Sequence, residues 1–146
     1  MPGGVVLADA GYGDETAFRD GVSALGMCYA VGIRPGTTVW APGTAPLPPK
    51  AWSGRGMRPT KLRREPGNEP MTVKALAIAL APQAWSTVTW RKGSNNELSG
   101  RFTALRVCPA HRDYLGTEMC PEEWLLIEWP EGEAEPAKYF LTTAPE

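Results

Sequence analysis

Eight prolines fall between residues 35 and 70: Pro35, Pro42, Pro46, Pro48, Pro49, Pro59, Pro66 and Pro70. Each lacks a backbone N–H and fixes its own φ, which excludes long helices and long central strands from that stretch. The chain is thereby divided. Long regular elements are confined to residues 1–33 and 73–146, and residues 34–72 must connect them. Inside the connection, Trp40, Leu47 and Trp52 predict a segment laid against a surface rather than floating free.

Ahead of the prolines, residues 4–8 form an unbroken apolar run, the pattern of a strand covered on both faces. Asp14 or Thr16 can cap a following helix, with Glu15 in its first turn and Phe18, Val22 and Leu25 on one stripe. Gly26 is placed to end it, and residues 27–33 read as a second strand. Strand, helix and strand within so short a span predict a βαβ unit with parallel strands and a right-handed crossover.

Beyond the prolines, residues 73–81 predict a short helix capped by Thr72 and stopped by Pro82. Residues 86–91, 101–108, 124–129 and 139–143 alternate or cluster as strands, with turns at Gly93–Asn96 and Pro130–Glu133. An antiparallel meander is expected. Trp85, Trp90, Trp124 and Trp129 are read as its packing and not as a base-stacking platform.

A length of 146 residues suits one ordinary domain, or a small unit with another appended, and 42% hydrophobic residues exclude the disordered class. The net charge of −1 conceals an asymmetry. Lys50, Arg55, Arg58, Lys61, Arg63 and Arg64 form a basic run without an acid, whereas Lys138 is the only base from Glu118 onward. The basic run suits an anionic partner, with the bland alternative of a solvated loop. The acidic tail reads as a solvated face. Cys28, Cys108 and Cys120 show no CxxC spacing, and Cys108, His111 and Cys120 lack a fourth ligand for structural zinc. No apolar run approaches a membrane span, so a soluble, cytoplasmic chain without a membrane partner is expected. His111 has no adjacent nucleophile and is assigned no catalysis.

Asp9 is the chemical candidate. It stands where the first strand emerges into Ala10-Gly11-Tyr12-Gly13, the strand end at which α/β sheets gather working residues. The bland reading is a turn residue whose carboxylate caps nearby N–H groups. A phosphoaspartate hydrolase wants a second carboxylate two residues on, but that position is Gly11. A receiver-type phosphoacceptor wants an acidic pair and a lysine on neighbouring strands, which the sequence does not supply. A two-metal nuclease or strand transferase uses such an aspartate with further carboxylates.

The string Leu7-Ala8-Asp9-Ala10-Gly11-Tyr12-Gly13, followed by a helix and Tyr29-Ala30-Val31-Gly32-Ile33, resembles the insertion-sequence transposases of the DDE superfamily. The likeness continues through Trp52-Ser53-Gly54-Arg55-Gly56, Pro59 to Arg64, Trp124 to Trp129 and Lys138 to Thr143. It implies a ribonuclease H-like fold in which Asp9 is the second metal-binding aspartate of an Asp-Asp-Glu triad. It also implies Mg²⁺ or Mn²⁺ as cofactor and transposon-end and target DNA as partners. Cleavage at the element's ends is then followed by attack of the freed 3′-hydroxyl on target DNA.

The first aspartate of that triad is expected upstream of Asp9 and the glutamate on a downstream helix, and neither has a place here. Glu128, Glu131 and Glu133 are poor substitutes, because they fall on or beside a predicted strand. The expectation is a truncated internal fragment of α/β (α+β) class, inactive alone. Residues 1–33 would be a partial ribonuclease H-like core, 34–72 a Pro/Gly-rich basic connection and 73–146 a β-rich insertion. Missing neighbour strands would favour self-association. The alternative is a non-enzymatic β-rich module that binds DNA or another partner.

Overall fold

The computed structural model describes residues 4–13, 16–92, 96–110 and 121–144. Strand β1 (Val5–Ala8) runs into a one-turn helix α1 (Ala10–Gly13) and then helix α2 (Thr16–Ala24). Strand β2 (Cys28–Ile33) returns parallel to β1, with Val5 opposite Cys28 and Ala8 opposite Val31. The expected βαβ pairing is present. Gly26, at φ 72°, takes the left-handed conformation that lets the chain leave α2 without the penalty a Cβ would bring. Asp14 and Glu15, the expected cap and first-turn acid, lie outside the described residues.

The prolines leave room for only one strand of three residues, β3 (Thr38–Trp40), in the stretch they dominate. It pairs with the two-residue β4 (Met71–Thr72), which leads into helix α3 (Val73–Ala79). The Thr72 hydroxyl accepts from the Ala75 N–H at 3.1 Å, satisfying one donor that the first turn would otherwise leave open. Pro82 opens a 3-10 turn, and the helix has ended by Leu80.

A meander follows: β5 (Ser86–Lys92), β6 (Asn96–Pro109), β7 (Glu123–Pro130) and β8 (Lys138–Thr142). Of the turn expected between β5 and β6, residues 93–95 lie outside the described residues. At 14 residues, β6 is longer than its apolar pattern suggests, and it serves two partners along one edge. Its first half pairs with β5 and its last two residues with β3, while β7 occupies the other edge. The meander does not stand apart from the βαβ unit. Strand β8 pairs antiparallel with β2, placing Val31 opposite Leu141, so one sheet runs β1-β2-β8-β7-β6-β3-β4.

Both longer helices cover the same face of this sheet. Val22 of α2 and Val73, Leu76 and Ala77 of α3 share a core with Tyr29, Val31, Ile33, Leu125, Ile127, Tyr139 and Leu141. Strand alternation selects those residues, since every second side chain points to the helices. The arrangement is strand-rich α+β, with helices on one face of a mostly antiparallel sheet.

Two expectations are corrected by this layering. Residues 4–8 are not covered on both faces: Val5 is 50% and Leu7 77% exposed, because β1 is the outermost strand and the helices lie on its other side. Leu25 falls in the turn after α2 and is exposed, while Arg19 takes the inward position beside Val22. Trp40 agrees with a connection laid against the rest of the protein. It is 1% exposed and packs with Cys108 and Ala110.

Candidate metal-ligand aspartate and basic loop

Asp9 follows the last residue of β1 and precedes the first of α1, and it is exposed. Its Oδ1 accepts the Gly11 N–H at 3.0 Å, which fixes the carboxylate over the α1 turn. The backbone reaches this position by passing close over β2. A Cβ on Gly32 would stand 3.1 Å from the Ala10 nitrogen and 3.5 Å from the Asp9 carbonyl carbon. A Cβ on Gly11 would stand 3.1 Å from the Asp9 carboxylate itself. Two glycines therefore clear the space around Asp9, and only Gly11 is suggested by its place beside it in sequence. Gly32 had a weaker signal, a glycine inside an apolar strand, which marks close backbone approach.

A two-metal centre needs several carboxylates converging on one point, since divalent ions are shared between them and the phosphates. Among the described residues no three His, Cys, Asp or Glu side chains converge in that way. Glu128 is directed to Lys138, 3.9 Å away, and Glu131 and Glu133 are exposed in and beyond the β7–β8 turn. The described residues thus do not fit a complete metal pair, and no catalytic step is assigned through one. The zinc grouping cannot be placed either: Cys108 is buried, but His111 and Cys120 lie outside the described residues.

The basic run separates into two groups. Arg63 and Arg64 are turned to the protein. Leu47 and Arg63 exchange backbone hydrogen bonds of 2.8 and 2.9 Å, and the Arg63 side chain donates to the Pro48 carbonyl at 2.9 Å and to Glu65 at 2.8 Å. Arg64 donates from Nη2 to the Ala110 carbonyl at 2.8 Å, with its guanidinium carbon 6.0 Å from the Trp40 ring centroid. The side chains of Lys50, Arg55, Arg58 and Lys61 are exposed and make no hydrogen bond or ion pair with the described residues, although the Arg55 carbonyl accepts from the Ser53 hydroxyl at 3.5 Å. Lys50, Arg58 and Lys61 line one open recess of about 520 Å³, together with Met57, Leu62 and Arg63. Between them the chain is held in shape, with Trp52 Nε1 donating to the Gly56 carbonyl at 3.3 Å.

Asp9 and this loop are not neighbours in the sheet. The loop is tied through Arg64 to Ala110, just past the end of β6, and β6 is four strands removed from β1. The tryptophans form a third feature. Trp85 and Trp129 meet edge to face at 5.5 Å, with the Arg101 guanidinium 4.6 Å from the Trp129 centroid, while Arg106 lies 5.0 Å from Trp124. These contacts join β6 to β7 and the segment before β5, in keeping with a packing role. The Trp90 side chain lies outside what is described.

Sequence reasoning missed Glu123, counted there among a solvated acidic tail. It is only 6% exposed, and burial pushes its carboxyl up to about 7, against the opposing pull of Arg19, with Asp20 adding to the rise. Its Oε1 has no hydrogen-bond partner among the described residues. The signal was available: Glu123, Leu125 and Ile127 alternate on one strand, so the glutamate shares the core face.

A family model described as "DDE superfamily endonuclease" matches residues 1–97. The chain belongs to that family. The matched part of this DDE-superfamily chain contains Asp9, the parallel strands, the whole basic loop, α3 and β5. Strands β6 to β8 lie largely beyond it, yet they complete the same sheet. No curated protein and no solved structure matches the chain. Family membership brings a divalent metal and a DNA substrate as general features of such endonucleases. Among the described residues no helix is long and apolar enough to cross a membrane.

Proposed function

We propose that this chain is a segment of a DDE transposase catalytic domain, with a ribonuclease H-like βαβ unit and Asp9 in the position of the second metal-binding aspartate. The observation that carries the reading is the placement of Asp9. Within the family match, the carboxylate stands at the carboxyl end of a parallel strand, cleared by Gly11 and Gly32. Such a strand end offers ligands from loops on a rigid support.

In this reading the other two carboxylates come from outside the described residues, and the chain by itself contacts DNA without cleaving it. Mg²⁺ or Mn²⁺, held by the completed carboxylate set, would supply Lewis-acid stabilisation of the phosphodiester oxygens. Asp9 holds one ligand position for it, and its hydrogen bond from Gly11 orients the carboxylate. The basic loop supplies the phosphate contacts.

The DNA flanking the reading frame tests the segment proposal. An in-phase strand ending in aspartate upstream, and a helix bearing a glutamate downstream beyond a stop or frameshift, are expected. Flanking DNA that encodes neither would contradict it.

A further inference from the structure

We infer that Lys50, Arg58 and Lys61 form a three-cation cradle for the phosphate backbone of duplex DNA, and that Arg63 and Arg64 are its braces. The inference rests on the DNA-contacting reading above and deepens it by dividing the basic run into two roles.

The division follows from partners. Arg63 is engaged with the Pro48 carbonyl and Glu65, and Arg64 with the Ala110 carbonyl, so drawing either guanidinium away to a phosphate carries a cost. Removing them would loosen the loop where it is tied down. Lys50, Arg58 and Lys61 have no such engagement, and all three border the same recess of about 520 Å³. The Arg55 side chain is likewise without a partner among the described residues, but it does not line the recess.

The partner follows from charge and shape. Three cations without an ion-pair partner among the described residues surround one concavity and form a positive site, and Glu65, the nearest acid in sequence, is already paired with Arg63. Met57, Pro59 and Leu62 contribute apolar walls, which concentrate the field instead of screening it. The recess is broad and open along the surface, as suits a backbone carrying successive phosphates. Lysine and arginine side chains on such a backbone displace condensed counterions, which makes their number measurable from salt dependence.

The test uses the full chain and a short fluorescein-labelled duplex, with anisotropy titrations between about 50 and 200 mM salt. Each phosphate contact contributes about −0.9 to the slope of log affinity against log salt. The combined variant Lys50→Ala, Arg58→Ala, Lys61→Ala is expected to flatten the slope by about 2.7. Its melting temperature should match the parent's, because these side chains support no other part of the described fold. Arg64→Ala, with unchanged cradle cations, should lower the melting temperature instead. If the parent binds and the combined variant keeps the full slope, the cradle is refuted while DNA contact stands. Absence of parent binding at the lowest salt would refute both the cradle and the DNA-contacting reading.

Discussion

Gly32 lies against the peptide that joins Asp9 to Ala10, so closely that a Cβ on it would stand 3.1 Å from the Ala10 nitrogen. The strand after the helix thereby sets where the candidate carboxylate sits. Gly32→Ala must push against the backbone that follows β1 rather than against a pliant side chain. A loss of about 1–3 kcal/mol is expected, the usual range for overpacking. Gly21→Ala is the counterpart, since Gly21 lies inside α2 and a methyl group there would meet nothing within 4 Å. It should gain about 0.5–1 kcal/mol by removing a flexible residue from a helix. Urea unfolding of the two variants checks both signs.

Arg64 connects the basic loop to the main sheet through Ala110 and lies over Trp40. Arg64→Ala removes a charged donor from a partly buried carbonyl and uncovers part of the Trp40 site. The expected cost is about 1.5–3 kcal/mol, the range for hydrogen bonds to charged groups. Arg58→Ala should change stability by less than about 0.5 kcal/mol, as exposed substitutions usually do. Equal losses for the two would contradict the division of the loop.

Glu123 gives stability a pH dependence of definite sign. Its carboxyl titrates at about 7 in the fold, against an ordinary value of 4.5. Between those values the native state holds a proton that the unfolded state has released, so stability declines as pH rises through this window. The contribution is fully present below the unfolded value and lost above the folded one. Its ceiling is about 3 kcal/mol, at about 1.4 kcal/mol for each pH unit separating the two values. Glu123→Gln should flatten that decline, leaving the variant more stable than the parent at about pH 8. A parent stability that rises steadily across the window would count against the buried neutral carboxyl.

Tyr139 faces the core with its hydroxyl buried and lacking a partner among the described residues, and burial raises its ionisation above 10.0. Tyr139→Phe keeps the ring among Ile33 and Ile127, its neighbours across the strands, and removes the unsatisfied group. A gain of about 1 kcal/mol is expected in thermal unfolding. A loss of similar size would reveal a hydrogen bond made by that hydroxyl.

What the sequence discloses depends on the range of the interaction. Gly26 ending α2 and Thr72 capping α3 were legible because cap and helix are adjacent in the chain. The strands of the meander were legible from alternation, which β7 displays through Leu125 and Ile127. Asp9 was legible as a carboxylate at a strand end. The remainder depends on pairings distant in sequence. Trp40 is buried because it pairs with Cys108, and the exposure of Leu7 follows from a sheet order closed by β2 against β8. The same holds for the basic run, which reads as uniform until Arg64 finds Ala110, 46 residues away.

The most direct measurement incubates the full chain with supercoiled plasmid in Mg²⁺ or Mn²⁺ at low salt, alongside Asp9→Ala. Both proteins are expected to retard the DNA equally and neither to nick it, because Asp9 alone does not assemble a metal pair among the described residues. Nicking by the parent chain that disappears in Asp9→Ala would contradict this, and would show a complete catalytic centre within these residues.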